Sequence, residues 1–271
     1  MVNINNILQV KDLDFSWGNN EVLKGINFSI KSGEVVSILG VNGAGKSTLI
    51  KCLNGILKPQ SGEIAILTDN EVHNSLVDVS SLDLVQLSKA MSYVPQTVRT
   101  SFSMDVFDVV LLGRKPHIKW RISEEDRDKV SETLRYLNLE DFAFRKFDQI
   151  SGGERQRVII AKAIVQDPNL FLFDEPTSDL DLKNQIQIMK GIKKLIENSK
   201  SSKSALIAIH DINIAARYSD KIILLHEGAI IAYGAPREVL TTQNIADVFS
   251  VTSSISESDD DYIRVIVGDE I

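Results

Sequence analysis

The sequence predicts an α/β fold: a core of parallel strands and helices, with an antiparallel β layer ahead of it and a block of helices set into it. Three observations predict this. A nearly continuous apolar run from Glu34 to Leu39 enters a glycine-rich turn and then the helical pattern STLIKCLNGIL, as a buried parallel strand feeding a helix does. The runs LFLFD, ending at Asp174, and SALIAIH, ending at His210, are each followed by a helical segment, which is the rhythm of βαβ units. Between those groups, residues from about Met104 to Ile150 lack strand alternation and carry helical spacing, as at Val130, Leu134 and Leu137.

Taken in order, Ile7 to Ile30 alternates apolar and polar positions about the turn signal Gly18-Asn19-Asn20, the pattern of a half-buried antiparallel hairpin. A second strand pair is expected at about Gly62 to Ile66 and Met91 to Val94, with the polar stretch between them as an extended hairpin connection. The helical block and the returning strands follow. After Leu240 the chain turns polar and ends in YIRVIV, a candidate last strand. The acidic group before it, Glu257, Asp259, Asp260 and Asp261, reads as a solvated turn.

The 271 residues suffice for one large domain with a sizeable core, and 43% hydrophobic with 25% charged residues is the balance of a folded chain. A net charge of -7 argues against nucleic acid as a partner. The lone cysteine, Cys52, cannot form an intrachain disulfide and reads as a small packed residue. The N-terminus lacks the basic and apolar regions of a secretory signal, and no apolar stretch reaches the roughly 20 residues of a spanning helix. The chain is therefore expected to stay inside the cell and to meet a membrane only through a partner.

Gly40-Val41-Asn42-Gly43-Ala44-Gly45-Lys46-Ser47 fits the spacing G-x-x-x-x-G-K-[ST] and sits where a strand passes into a helix, with Thr48 following. The glycines let the backbone curl with its N–H groups inward, and the helix N-terminus adds a positive dipole end, so the segment cradles phosphate. This marks a P-loop NTPase (RecA-like) core. Lys46, an ammonium expected to be exposed at the loop, should reach the β and γ phosphates of ATP, and Ser47 should ligate Mg²⁺. Asp174 ends its apolar strand at the carboxyl edge of the sheet, where it can hold Mg²⁺ through water, and Glu175 follows as the candidate general base.

Ser151-Gly152-Gly153-Glu154-Arg155-Gln156-Arg157 stands before a helical pattern; as bare chemistry it is either an anion-binding helix start or a flexible N-cap. Its place in the order of motifs carries more. The phosphate loop, Gln96 in YVPQ, SGGERQR, FLFDEP, Ser178-Asp179-Leu180-Asp181 and His210 succeed one another as in the ABC (ATP-binding cassette) ATPase family, which this chain resembles from about Leu8 to Leu240. The resemblance implies an ATPase domain over 8–243, with a helical subdomain at about 100–165, and a C-terminal tail over 244–271. It implies that Trp17 stacks on adenine, that Gln96 senses Mg²⁺ and the attacking water, and that His210 is the switch histidine at the γ-phosphate. Asp179 falls in the loop that crosses the dimer interface. Ser151, Gly152, Gly153 and Glu154 would complete the site of the opposite subunit, so that ATP joins two cassettes into a homodimer.

The finer resemblance is to importer ATPases for iron-siderophore complexes, haem and cobalamin, through VLLGRKPH (110–117) and LLHEGAIIAYGAPREVL (224–240). Arg114, Pro116 and His117 either face a permease or shape a loop and helix start. An importer subunit would sit on the cytoplasmic face of the cell membrane, bound to integral membrane permease subunits and linked indirectly to an external substrate-binding protein. A soluble ATPase of iron–sulfur cluster assembly, in the same family, remains the alternative.

Overall fold

The computed structural model describes residues 6–69, 74–96, 103–178, 180–199, 203–257 and 262–271. The first part comprises β1 (Asn6–Trp17), β2 (Asn20–Lys31), β3 (Val35–Leu39), α1 (Lys46–Leu53), β4 (Ser61–Asp69), β5 (Asn74–Asp78), α2 (Leu84–Ala90) and β6 (Met91–Val94). The helical block is α3 (Val106–Leu111), α4 (Glu124–Tyr136) and α5 (Gly152–Val165). Then come β7 (Leu170–Asp174), α6 (Leu182–Asn198), β8 (Ser204–Ala208), α7 (Ile212–Tyr218), β9 (Lys221–His226) and β10 (Ala229–Gly234). The chain closes with α8 (Pro236–Val239), α9 (Thr242–Phe249), β11 (Val251–Glu257) and β12 (Ile263–Glu270).

Two main sheets carry the fold. The antiparallel one has the order β2-β1-β4-β5, and its first hairpin turns through Gly18 and Asn19 as the sequence predicts, with Trp17 opposite Asn20. The other has the order β10-β9-β3-β8-β7-β6; its strands run parallel except β10, which returns antiparallel on β9. Strands β3, β7 and β8 are buried at every position, which is why they read as continuous apolar runs rather than alternations. One face of this sheet packs with α1 and the antiparallel layer; the other packs with the helical block, α6 and α7.

The expected pairing of Gly62–Ile66 with Met91–Val94 is wrong. β4 pairs with β1 and β5, whereas β6 lies parallel to β7 at the edge of the other sheet. Burial explains the sorting: Ile64 and Ile66 alternate with exposed Glu63, as a one-faced strand requires, while Met91, Ser92 and Val94 are all buried. The helix after the phosphate loop is also shorter than its apolar pattern, stopping at Leu53 because Gly55 turns into the left-handed region (φ 67). Cys52 is buried on that helix, and burial pushes its thiol up to about 11, which leaves it a packed and unreactive group.

Arg114 is not presented to a partner. It is 4% exposed, donates from Nε to Asp126 Oδ1 at 2.9 Å and from Nη1 to the Val165 carbonyl at 3.0 Å, and so ties the start of α4 to the end of α5. The Ser123 hydroxyl and then Arg114 itself hold the Asp126 carboxyl down to about 2. His117 likewise turns inward, with Nε2 2.8 Å from the Gln166 carbonyl. Arg114→Ala is expected to lower unfolding stability by about 3–5 kcal/mol, the cost of leaving one member of a buried pair uncompensated. A urea midpoint unchanged from the parent protein would refute this.

Among the described residues of 244–271, α9, β11 and β12 form packed structure. The boundary at 243 falls inside α9, and beyond it Ile263 and Val265 are buried in the larger core, where Asn213 on α7 exchanges hydrogen bonds with Val265 (Nδ2 to the carbonyl 3.0 Å, and the Val265 N–H to Oδ1 2.8 Å). Glu257 belongs to β11 and pairs with Arg237 rather than to a free acidic turn; Asp259, Asp260 and Asp261 lie outside the described residues.

Candidate nucleotide-binding site

The phosphate loop leaves β3 at the carboxyl edge of the parallel sheet and enters α1. Its first glycine is obligatory on steric grounds: a Cβ at Gly40 would lie 2.2 Å from the Leu225 carbonyl oxygen on neighbouring β9. Gly45 caps α1 with φ 106, a conformation that L side chains rarely adopt. Val41, Asn42 and Gly43 are exposed along the loop, whereas Ala44 packs inward against the core. A cavity of ≈ 150 Å³ opens here, lined by Asn42, Gly43, Gly45, Lys46, Ser47 and Thr48 together with Val22 and Glu175.

Lys46 is buried, contrary to the exposed ammonium expected from the sequence. Its Nζ donates to the carbonyls of Gly40 (2.8 Å) and Val41 (3.1 Å), so the loop's own backbone folds round it. Burial lowers its pKa, and the charges of Glu175 and Asp174 work against that shift.

Two elements converge on Asp174 at the end of β7. Ser47 Oγ at the start of α1 donates to Oδ1 at 2.8 Å, and Tyr93 OH on β6 donates to Oδ2 at 3.3 Å. Burial raises the Asp174 pKa; the Ser47 bond lowers it, the neighbouring Glu175 charge raises it, and the Tyr93 bond lowers it. Burial also raises the Tyr93 pKa, with Asp174 adding to the effect, so the phenol stays protonated as a donor. A hydroxyl beside a carboxylate is a hard oxygen set of the kind Mg²⁺ takes. The described residues hold no cluster of three or more His, Cys, Asp or Glu suited to a metal.

Glu175 is buried with its backbone in the left-handed region (φ 53), which costs a non-glycine residue about 1–3 kcal/mol and is held here by its surroundings. Its N–H donates to the Ala208 carbonyl, and its own carbonyl accepts from the N–H and the hydroxyl of Ser178. The carboxylate is gripped from two sides: Gln96 Nε2 donates to Oε2 at 2.6 Å, and His210 Nε2 lies 2.6 Å from Oε1. Gln96 follows β6 and His210 follows β8, so residues far apart in the chain meet at one edge of the sheet.

The remaining predicted residues stand elsewhere. Trp17 closes the first hairpin, is 56% exposed and makes an edge contact with Phe15 at 5.1 Å, which leaves its indole free to stack. Ser151 caps α5 in a reciprocal capping box: its hydroxyl accepts from the Glu154 N–H, and the Glu154 carboxylate accepts from the Ser151 N–H at 2.7 Å. The Ser151 hydroxyl, and then its N–H, hold the Glu154 carboxyl below its usual range. Ser151 and Gly152 are exposed, and nothing stands within 4 Å of where a Gly152 side chain would begin. Gly153 faces Asn184 and Leu180, just past Asp179, which lies outside the described residues. The cavity at the phosphate loop takes no lining from Ser151 to Glu154. Val22 and Tyr93 are the site residues that the sequence reading missed. Nothing marks Val22, but Tyr93 stands three positions before Gln96, and strand alternation puts it on the face of Asp174.

Such an edge, with a phosphate cradle, a hydroxyl–carboxylate pair and a second carboxylate at the same cavity, is that of a P-loop NTPase. The ABC transporter family model matches residues 23–178. An ABC transporter ATP-binding protein of Methanocaldococcus jannaschii is 50% identical over 92% of this chain and 93% of its own length. The petrobactin import ATP-binding protein of Bacillus subtilis is 35% identical, with 96% and 99% covered. Among solved structures, a transporter described as of metal-chelate type, in an inward-facing conformation, superposes with a TM-score of 0.82 at 28% identity, covering 97% of this chain and 98% of that one. A dimeric ATP-binding cassette in a post-hydrolysis state with ADP and Pi superposes at 0.71 with 32% identity, covering 85% and 99%. The chain belongs to the ABC transporter family, as an ATP-binding and ATP-hydrolysing cassette.

Proposed function

We propose that this cassette powers an importer, and that it takes up an iron-siderophore, haem or cobalamin type of compound through a separate membrane permease. The observation that carries the reading is full-length similarity to an import ATP-binding protein in a chain whose described residues contain no helix long and apolar enough to cross a membrane. Such a subunit borrows its channel and sits peripherally on the cytoplasmic face of the membrane; an external substrate-binding protein delivers the cargo to the permease. The net charge of -7 gives no support to a nucleic-acid partner.

Within the site, the loop from Gly40 to Thr48 binds the phosphates of ATP and Trp17 stacks on adenine. Ser47, Asp174 and Gln96 would hold Mg²⁺, which when bound neutralises charge on the β and γ phosphates. Glu175 accepts the proton of the attacking water, and His210 orients Glu175 and meets the γ-phosphate. The carboxylate of Glu175 is engaged by Gln96 at Oε2 and by His210 at Oε1, which leaves each oxygen a further acceptor position for the attacking water. Ser151, Gly152, Gly153 and Glu154, at an exposed helix N-terminus away from the chain's own cradle, complete the site of a second copy, with Asp179 at the seam.

The test is co-expression with the reading frames that adjoin the gene, followed by purification of this chain from membranes and from cytosol. Recovery in detergent with a polytopic protein, two cassettes per permease dimer, is the expected result. Recovery from cytosol with a soluble assembly protein would overturn the importer reading in favour of iron–sulfur cluster assembly.

A further inference from the structure

We propose that Tyr93 is a positioning residue for the Asp174 carboxylate, holding it ready for the metal that accompanies ATP; this rests on the reading of Ser47 and Asp174 as the metal-side pair. The argument begins with strand alternation. On β7, Leu170, Leu172 and Asp174 point to the face that α1 covers, and Leu170 and Leu172 belong to the apolar cluster on that side. On β6, Tyr93 is the residue aligned with Leu172, and its ring packs against the same cluster. Register therefore sends the phenol along the sheet toward the end of β7, where Asp174 stands, while α1 brings Ser47 to the same carboxylate from above.

The result is a divided grip. Ser47 Oγ holds Oδ1 and Tyr93 OH holds Oδ2, so each oxygen of a carboxylate that is 3% exposed has one hydroxyl donor. Burial leaves little water to replace either donor, so loss of one frees the carboxylate to rotate. Three residues on, Gln96 grips Glu175, so the end of β6 holds both neighbouring acids: the metal-side one through Tyr93 and the base through Gln96. A tyrosine serving only to fill space would need its ring and not its hydroxyl. That difference makes the proposal testable.

Tyr93→Phe keeps the ring and removes the donor; Tyr93→Ala removes both. A fluorescent ATP analogue is titrated against each variant in EDTA and across a series of Mg²⁺ concentrations, alongside thermal melts and steady-state phosphate release. For Tyr93→Phe the expected result is a melt lowered by only a few degrees, the cost of leaving one buried acceptor without its donor, and an unchanged metal-free affinity. The Mg²⁺ concentration for half-maximal tightening of nucleotide should rise by about three- to tenfold, the worth of one buried hydrogen bond, and kcat should fall with it. A Tyr93→Phe protein indistinguishable from the parent while Tyr93→Ala is impaired would overturn the proposal, leaving a packing role for the ring. Equal losses of nucleotide affinity with and without metal would overturn it too. If the parent protein's own affinity for ATP ignores Mg²⁺, the metal-side reading of Ser47 and Asp174 falls and the role of Tyr93 falls with it.

Discussion

Replacing Lys46 with alanine is expected to weaken ATP binding by about 10- to 100-fold, the range for losing a charge-assisted hydrogen bond from a partly desolvated site. The geometry gives the sign of the accompanying change in stability. The ammonium is 5% exposed and satisfied by two neutral carbonyl oxygens, with its burial disfavouring the charge. Without phosphate, the two hydrogen bonds from the ammonium to the loop are offset by the cost of burying its charge, so Lys46→Ala should melt close to the parent protein in the absence of nucleotide. With saturating ATP the two should separate, because bound ligand stabilises only the protein that binds it. Thermal melts with and without ATP, together with equilibrium nucleotide binding, check both halves. An ATP affinity equal to that of the parent would remove Lys46 from the cradle.

The parts of this site that could be read from residues alone are those where one short segment holds all the chemistry. The phosphate loop needs glycines, a lysine and a hydroxyl at fixed spacing, and Gly40, Gly45, Lys46 and Ser47 provide them within eight positions. What escaped depends on contacts between distant segments. The partner of β6 is decided by burial on both of its faces, and a run of four residues is too short for periodicity to reveal that. Arg114 read equally well as a surface contact or a strut, because Asp126 and Val165, its partners, carry no mark in the sequence. YIRVIV reads as a strand, but the sequence sets 244–271 apart as a tail because the burial of Ile263 and Val265 against the helices is a contact between distant segments. Tyr93 lay in view within YVPQ, and would have been found by aligning its strand with LFLFD and asking which side chains share the face of Asp174.

Glu175→Gln tests the chemistry and the shared site together. The substitution keeps the shape of the side chain, and its carboxamide can still accept from one of the two groups that flank it, while Gln96 can turn its amide to offer oxygen to the new N–H₂. The fold and nucleotide binding should therefore survive. If Glu175 is the base proposed above, what is lost is the ability to accept the proton of the attacking water, so turnover should fall by at least about 10²-fold, the contribution typical of a general base. A protein that binds ATP without consuming it should then accumulate as an ATP-dependent dimer, because on the proposed shared site nucleotide held in one cradle would be contacted by Ser151 and Gly153 of the other copy. In the resting chain that helix start is exposed, with open space beside Gly152, so a long side chain at Ser151 can be accommodated in the monomer. Adding Ser151→Arg to Glu175→Gln should leave monomer folding and ATP binding in place and abolish the dimer, since the new side chain occupies the space that the facing phosphates need. Size-exclusion chromatography with light scattering, with and without ATP, reads the assembly, and phosphate release reads the chemistry. Near-normal release from Glu175→Gln would remove Glu175 as the base, and a dimer that persists with Ser151→Arg would remove the shared site.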